Sequence, residues 1–270
     1  MAKVLAEKKE DDEDKAKYLL LFATFQKLIE SWQDSAGKWE VLEELITLRT
    51  SSLLENVLEG LKLDFDSALN LLRSRNDFIT LKDKEQRDIL VAAINNLVDF
   101  AAAQENTMLG ELPKEIDTLH PELYESLFEK YNKTYARQED KDVLYAATIA
   151  AWWMNLSSDT LVTYMTQGDE RVRAWHLSLE GITYPKQEFP AELIPPIEHG
   201  CRCFLLTQSS ASNVIGELDS KVHSININPV FKESLALKGK IFSQEHSYFK
   251  HPLPTQVQNI VKRIKAKLCL

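Results

Sequence analysis

From residue 15 to 156 the apolar residues of this chain recur three and four positions apart, segment after segment, and that period calls for helices. The stretch 15–31 places Tyr18, Leu21, Phe22, Phe25, Leu28 and Ile29 at helical spacing, and Gly37 marks a break. The stretch 39–61 repeats the pattern with Val41, Leu42, Leu45, Ile46, Leu48, Leu53, Leu54, Val57 and Leu58. Asp64 is placed to cap a short helix holding Leu69, Leu71 and Leu72. Another helix is expected over 82–103, with Ile89, Leu90, Ile94, Leu97, Val98 and Ala101. Eight glycines in 270 residues agree with long helices and few tight turns. Residues 1–14 are charged and expected to be disordered. The stretch 1–110 therefore reads as an acidic helical region, a bundle or a set of hairpins, with nothing that suggests chemistry up to residue 105.

A linker with two prolines follows, and then an expected helix over 121–136 with an aromatic stripe of Tyr124, Leu127, Phe128, Tyr131 and Tyr135. The most apolar helix is expected over 141–156. It ends in Trp152 and Trp153, which cannot both face one core. After Ser158 the texture changes. Short β-prone runs at 161–165, 204–207 and 224–227 sit among denser glycines and prolines. The fold class predicted is α+β: a mainly helical N-terminal region, then a small loop-rich α+β domain with a short sheet over 111–228. Residues 229–270 read as an irregular wrapping tail anchored by Phe231, Phe242, Tyr248 and Phe249, closing in a short basic helix. In that helix Val257, Ile260, Val261, Ile264 and Leu268 form one face, and Lys262, Arg263, Lys265 and Lys267 lie largely off it.

Charge is distributed unevenly. Residues 201–270 hold ten Lys or Arg and four Asp or Glu, a net of +6, so residues 1–200 carry −15 of the overall −9. An acidic body with a basic tail suits a protein touching two unlike surfaces. No run reaches the roughly 18 apolar residues of a membrane span, so no membrane partner is expected. The apolar run 18–25 follows an acidic EDDED stretch rather than a basic one, which argues against a signal peptide. Three cysteines, two of them one residue apart, do not make a disulfide framework, and the chain reads as made in a reducing cytoplasm.

The residues with the most chemistry lie between Gly168 and Cys203. Asp169, Arg171, Arg173, His176, Glu180 and Gly181 come first; Pro195, Pro196, His199, Cys201, Arg202 and Cys203 follow. His176, His199, Cys201 and Cys203 offer a Cys2His2 set for zinc. The alternative is that the cysteines are small buried hydrophobes, as free cysteine often is, with Arg202 pointing the other way along a strand. Asp169, Arg171 and Arg173 can form a salt-bridged network, and two arginines on one face of an extended segment suit carboxylate or phosphate recognition. Nucleobase deaminases need H-x-E and P-C-x-x-C, whereas this chain has H-x3-E and C-x-C. Walker A, GxGxxG, HExxH and GxSxG are all absent, and no catalytic residue is assigned.

DERVRAWHLSLEG, then Pro195-Pro196, then HGCRC resembles the signature of the phage Mu F-like minor head proteins, also called phage head morphogenesis proteins. That signature runs roughly D-x-R-V-R-x-x-H-x-x-L-D-G, a variable stretch, a proline-containing turn and C-R-C. Asp169, Arg171, Val172, Arg173, His176, Leu179, Gly181, Pro195, Pro196, Cys201, Arg202 and Cys203 match it. YNKTY at 131–135 and the segment 228–249 are similar to forms from Bacteroidetes prophages. Glu180 stands where the family has Asp, and the stretch from Pro185 to Pro195 is short and lacks the common Phe-Trp. The resemblance covers about residues 120–250. It implies a structural protein of a tailed phage or prophage, present in few copies inside the procapsid and made in the host cytoplasm. It further implies association with the portal or major capsid protein and a part in assembly, DNA packaging or ejection. The basic tail adds non-specific double-stranded DNA as an expected partner. A zinc-dependent hydrolase or nuclease built on His176, Glu180, His199, Cys201 and Cys203 is the alternative; otherwise no cofactor is expected.

Overall fold

A computed structural model describes residues 2–74, 77, 80–208 and 227–268, with side chains from residue 15 onward. The described chain is predominantly helical with a small three-stranded antiparallel sheet, so the α+β reading holds. Long helices come first: α1 (Ala2–Glu30), α2 (Gly37–Leu61), α3 (Phe65–Ser74) and α4 (Leu81–Gly110). α1 starts at Ala2, where disorder to residue 14 was expected, because Ala, Leu, Lys and Glu are strong helix formers whatever their charge.

Local chemistry sets the other boundaries. α2 stops where Lys62 turns left-handed at φ 57° and the Leu63 N–H reaches back to the Leu58 carbonyl at 2.9 Å. Asp64 caps α3 as predicted, its Oδ1 accepting from the Ser67 N–H at 2.9 Å. α4 opens on a reciprocal pair: the Asp83 N–H donates to Thr80 Oγ1 at 3.1 Å and the Thr80 N–H to Asp83 Oδ2 at 3.0 Å. The single helix expected over 121–136 is instead a 3₁₀ turn (Pro121–Tyr124), α5 (Glu125–Glu129) and wider π turns (Lys130–Tyr135) that lead into α6 (Ala136–Met154). The wider turns rotate the aromatic stripe, so Phe128 and Tyr131 are buried while Tyr135 is exposed.

The chain forms two compact units, each discontinuous in sequence: 1–55 with 97–140 and 247–270, and 56–96 with 141–246. These do not coincide with the consecutive stretches 1–110, 111–228 and 229–270. In the first unit Phe128 of α5 packs against Phe22 and Phe25 of α1 with ring centroids 5.3 and 5.0 Å apart. There α8 (Thr255–Lys267) buries Val257, Ile260, Val261 and Ile264, the face read from sequence. The second unit holds the sheet, in the order β2 (Thr183–Pro185), β1 (Leu161–Met165), β3 (Phe204–Gln208). Two of the expected strands are β1 and β3; the third, 224–227, lies almost wholly outside the described residues. β1 is central, pairing Thr163 with Thr183 on one side and with Leu206 on the other. Trp153 is buried edge-on against Phe189, centroids 5.7 Å apart, and Trp152 is half-buried, so the two tryptophans diverge as helical spacing requires. Among the described residues no helix is long and apolar enough to cross a membrane.

Candidate functional site

The signature residues converge at one end of the sheet in the second unit. α7 (Ala174–Leu177) carries His176, and the turn before it carries Asp169, Arg171 and Arg173. The register Tyr164↔Leu205 aligns β1 and β3, and Cys203 stands two residues before Leu205, so strand periodicity turns Cys203 to the Tyr164 face. Cys201 and Cys203 are buried and Arg202 between them is partly exposed, the alternation expected, although the CRC triplet precedes β3 rather than lying in it.

His176 is 2% exposed, and its two ring nitrogens face different partners. Nδ1 lies 3.0 Å from Cys203 Sγ, and Nε2 lies 3.3 Å from Glu198 Oε2. Glu198 is in turn held by Arg173 Nε at 3.0 Å, and Arg173 also donates to the His199 carbonyl at 2.9 Å. Asp169 receives both Arg202 nitrogens, at 2.7 and 2.6 Å, and accepts the Arg171 N–H at 3.1 Å. The network predicted among Asp169, Arg171 and Arg173 is therefore partitioned differently. Asp169 pairs with Arg202, thirty-three positions away, and Arg173 pairs with Glu198. The segment is a turn, not a strand, so the alternation of an extended chain does not apply to Arg171 and Arg173.

Gly181 sits at φ 85° with open space where a Cβ would be, so the backbone conformation alone selects glycine there. Its N–H donates to the Tyr164 carbonyl at 2.9 Å, tying the turn after α7 to β1. Glu180 accepts from the Thr166 N–H at 3.3 Å and from the Thr166 hydroxyl, so this carboxylate braces the end of β1. Pro195-Pro196 is joined by a cis peptide bond.

The four proposed metal ligands do not all meet. The ligand atoms of His176, Cys201 and Cys203 lie within 4.8 Å of one another, and all three residues are buried. His199 faces away: its Nδ1 sits 3.0 Å from Asp142 Oδ2, and its ring packs edge-on against Phe231 at 4.8 Å. Asp142 also accepts the Gly200 N–H at 2.9 Å, so α6 clamps the turn that leads into CRC. Tyr145, one turn on, donates to the Cys203 carbonyl. The two thiols are electrostatically unequal. The hydrogen bond between them, reinforced by burial, pushes Cys201 well above the usual thiol range. The same bond, with a hydrogen bond from Tyr164 and the charges of Arg173 and Arg202 nearby, holds Cys203 below it against the effect of burial.

Asp142, Tyr145, Tyr164 and Glu198 were not singled out from sequence. Glu198 stands inside the PPIEHGCRC run, and Asp142 and Tyr145 lie three residues apart within the most apolar helix; both were available signals. Arg49 is 1% exposed and bonds Gln104 at 2.8 Å, Glu139 at 3.0 Å and Asp140 at 2.7 Å. Glu139 also accepts from Tyr248 at 2.7 Å. Glu105, fully buried beside this group, has its carboxyl pushed up to about 8, by burial before anything else. Arg49 occupies the seam position between Ile46 and Leu53, where a helical stripe otherwise calls for an apolar residue.

The four basic residues expected to contact nucleic acid lie on α8. Arg263 and Lys267 both pair with Glu43, at 2.5 and 2.8 Å, and Lys265 pairs with Asp99 at 2.8 Å. Much of the basic tail's charge is thus met by the acidic helices of its own unit, and Lys262 stands exposed.

A segment of 42 residues is 50% identical to part of an uncharacterized protein of Methanocaldococcus jannaschii. The match spans 16% of this chain and 7% of that protein, and its description names no activity. No protein-family model and no solved structure matches the chain.

Proposed function

We propose that this chain is a minor head protein of a tailed phage or prophage, and that the 169–203 cluster is the rigid core of its docking unit. The observation that carries this reading is how the signature's polar residues bond. Asp169 with Arg202, Arg173 with Glu198 and the His199 carbonyl, and His176 with Cys203 join the beginning of the signature to its end. Groups bonded to one another in this way fix a surface rather than present reactive atoms to a substrate. Glu180, the proton shuttle that the hydrolase alternative requires, is bonded to Thr166 instead.

The portal or the major capsid protein is the proposed partner of the unit, inside the procapsid. Non-specific double-stranded DNA is a second proposed partner, through Lys262 and the positive charge that a single Glu43 leaves on Arg263 and Lys267. Its check is salt-sensitive retention on duplex DNA that falls when Lys262, Arg263, Lys265 and Lys267 become Ala. The test of the main reading is co-expression with the portal protein encoded in the same phage genome, followed by tandem purification. A stable complex is expected, weakened when Asp169→Ala and Arg202→Ala are combined. A folded chain that binds neither portal nor capsid protein, from a genome with no portal gene, overturns it.

A further inference from the structure

The Tyr164 hydroxyl is buried and turned to the Cys203 thiol. It is placed beside the sulfurs of Cys201 and Cys203 on the face where His176 Nδ1 also points. Apolar packing does not account for two thiols, an imidazole nitrogen and a hydroxyl gathered in one buried spot, because burying polar groups is costly unless they serve one another or a ligand. We infer that His176, Cys201 and Cys203 hold a structural zinc ion, with its fourth position closed on the Tyr164 side.

The chemistry of the donors selects the ion. Two thiolates and an imidazole suit zinc and do not suit magnesium or calcium, which take oxygen ligands. The distances permit it. Zinc–sulfur bonds of about 2.3 Å in a tetrahedron put ligand atoms roughly 3.8 Å apart. The three donor atoms here all lie within 4.8 Å of one another, with 3.0 Å between Nδ1 and the Cys203 sulfur. Adjustments of about 1 Å or less therefore complete the set. The surroundings are already those of a metal site. Glu198 Oε2 on His176 Nε2 is the carboxylate that orients a ligating imidazole, and Arg173 holds that carboxylate. Arg202, between the two cysteines, is anchored on Asp169, and the Cys203 carbonyl is anchored on Tyr145, so the C-x-C turn is fixed from both sides. Burial of all three ligands, with the Tyr164 hydroxyl beside the sulfurs, matches a closed structural site rather than an open catalytic one. The ion would cross-link α7 to the entry of β3, the two halves of the signature. The inference does not rest on the head-protein reading, and either can fail alone.

The test is metal analysis of the full-length protein, purified without chelator and reloaded with zinc alone. About one zinc per chain is expected in the wild type and in Cys269→Ser, with loss in Cys203→Ser and His176→Ala. Because those two variants can unfold, cobalt substitution of the wild type is the second readout; thiolate charge-transfer bands with tetrahedral d–d intensity are expected. Glu198→Gln should keep the cobalt spectrum while zinc affinity, read by competition with a chromophoric chelator, falls about 10- to 100-fold. A folded wild type that takes up no zinc on reloading and gives no cobalt–thiolate spectrum overturns the inference.

Discussion

Glu105 is fully buried in the first unit. Its carboxyl is pushed up to about 8 by burial, partly countered by Arg49 and by the hydrogen bond from Asn132. A carboxyl with a raised folded-state value binds its proton more tightly folded than unfolded. Stability from this group is therefore full at acid pH and is lost as pH rises from about 4.5 towards about 8. Glu105→Gln should leave stability at pH 5 nearly unchanged and raise it at pH 9 by an amount on the order of 3 kcal/mol. Urea unfolding at the two pH values measures this, and an unchanged pH slope contradicts it. Glu43 works in the opposite direction. Burial opposes its ionisation, but bonds from Arg263 and Lys267 hold it below the usual carboxylate range, so its contribution is lost as pH falls into the acid. Neither residue stood out in sequence. A charge on an apolar stripe is visible there, but its partner, as far away as Lys267 is from Glu43, is not.

At the scale of elements, close approach decides more than composition. A Cβ added at Gly60 of α2 would lie 2.6 Å from the Ala147 Cβ and 2.8 Å from the backbone of Leu144 and Thr148 on α6. Gly60→Ala should cost about 1–3 kcal/mol, since neither backbone can yield without moving a helix. Gly110 meets nothing within 4 Å, and Gly110→Ala in the last turn of α4 should be neutral or slightly stabilising. Thermal unfolding of the two variants side by side is the measurement; equal effects would show that the α2–α6 contact is looser than described. Helix existence was legible because the 3.6-residue period is a local property. The buried faces of α1, α2, α4 and α8 follow it closely, through Phe25, Leu45, Leu97 and Ile260. The π turns at Lys130–Tyr135 were not legible, because nothing in KYNKTY distinguishes a widened turn from an ordinary one. β2, only Thr183–Pro185, is too short for a period of two to register.

For the whole molecule, sequence gave the existence of the cluster but not its wiring. The signature named Asp169, Arg173, His176 and the CRC triplet, and the fold joins them. It removes His199 from the ligand set, because Asp142 on α6 holds that ring, and it brings in Glu198 and Tyr164. Such pairings depend on tertiary topology: β1 and β3 are adjacent, although residues 166–203, with α7 and β2 among them, separate their facing ends, and no local pattern encodes that. The discontinuous units have the same origin, since α2, α4 and α6 each contribute residues to both. The central claim is that this assembly serves a phage head. Its most direct test is quantitative mass spectrometry of procapsids and virions from an induced lysogen carrying the gene, after external protease treatment. The account predicts a few protected copies per particle, lost when the gene is deleted. Absence of the protein from both particle types, with particle yield and packaged DNA unaffected by deletion, would contradict it.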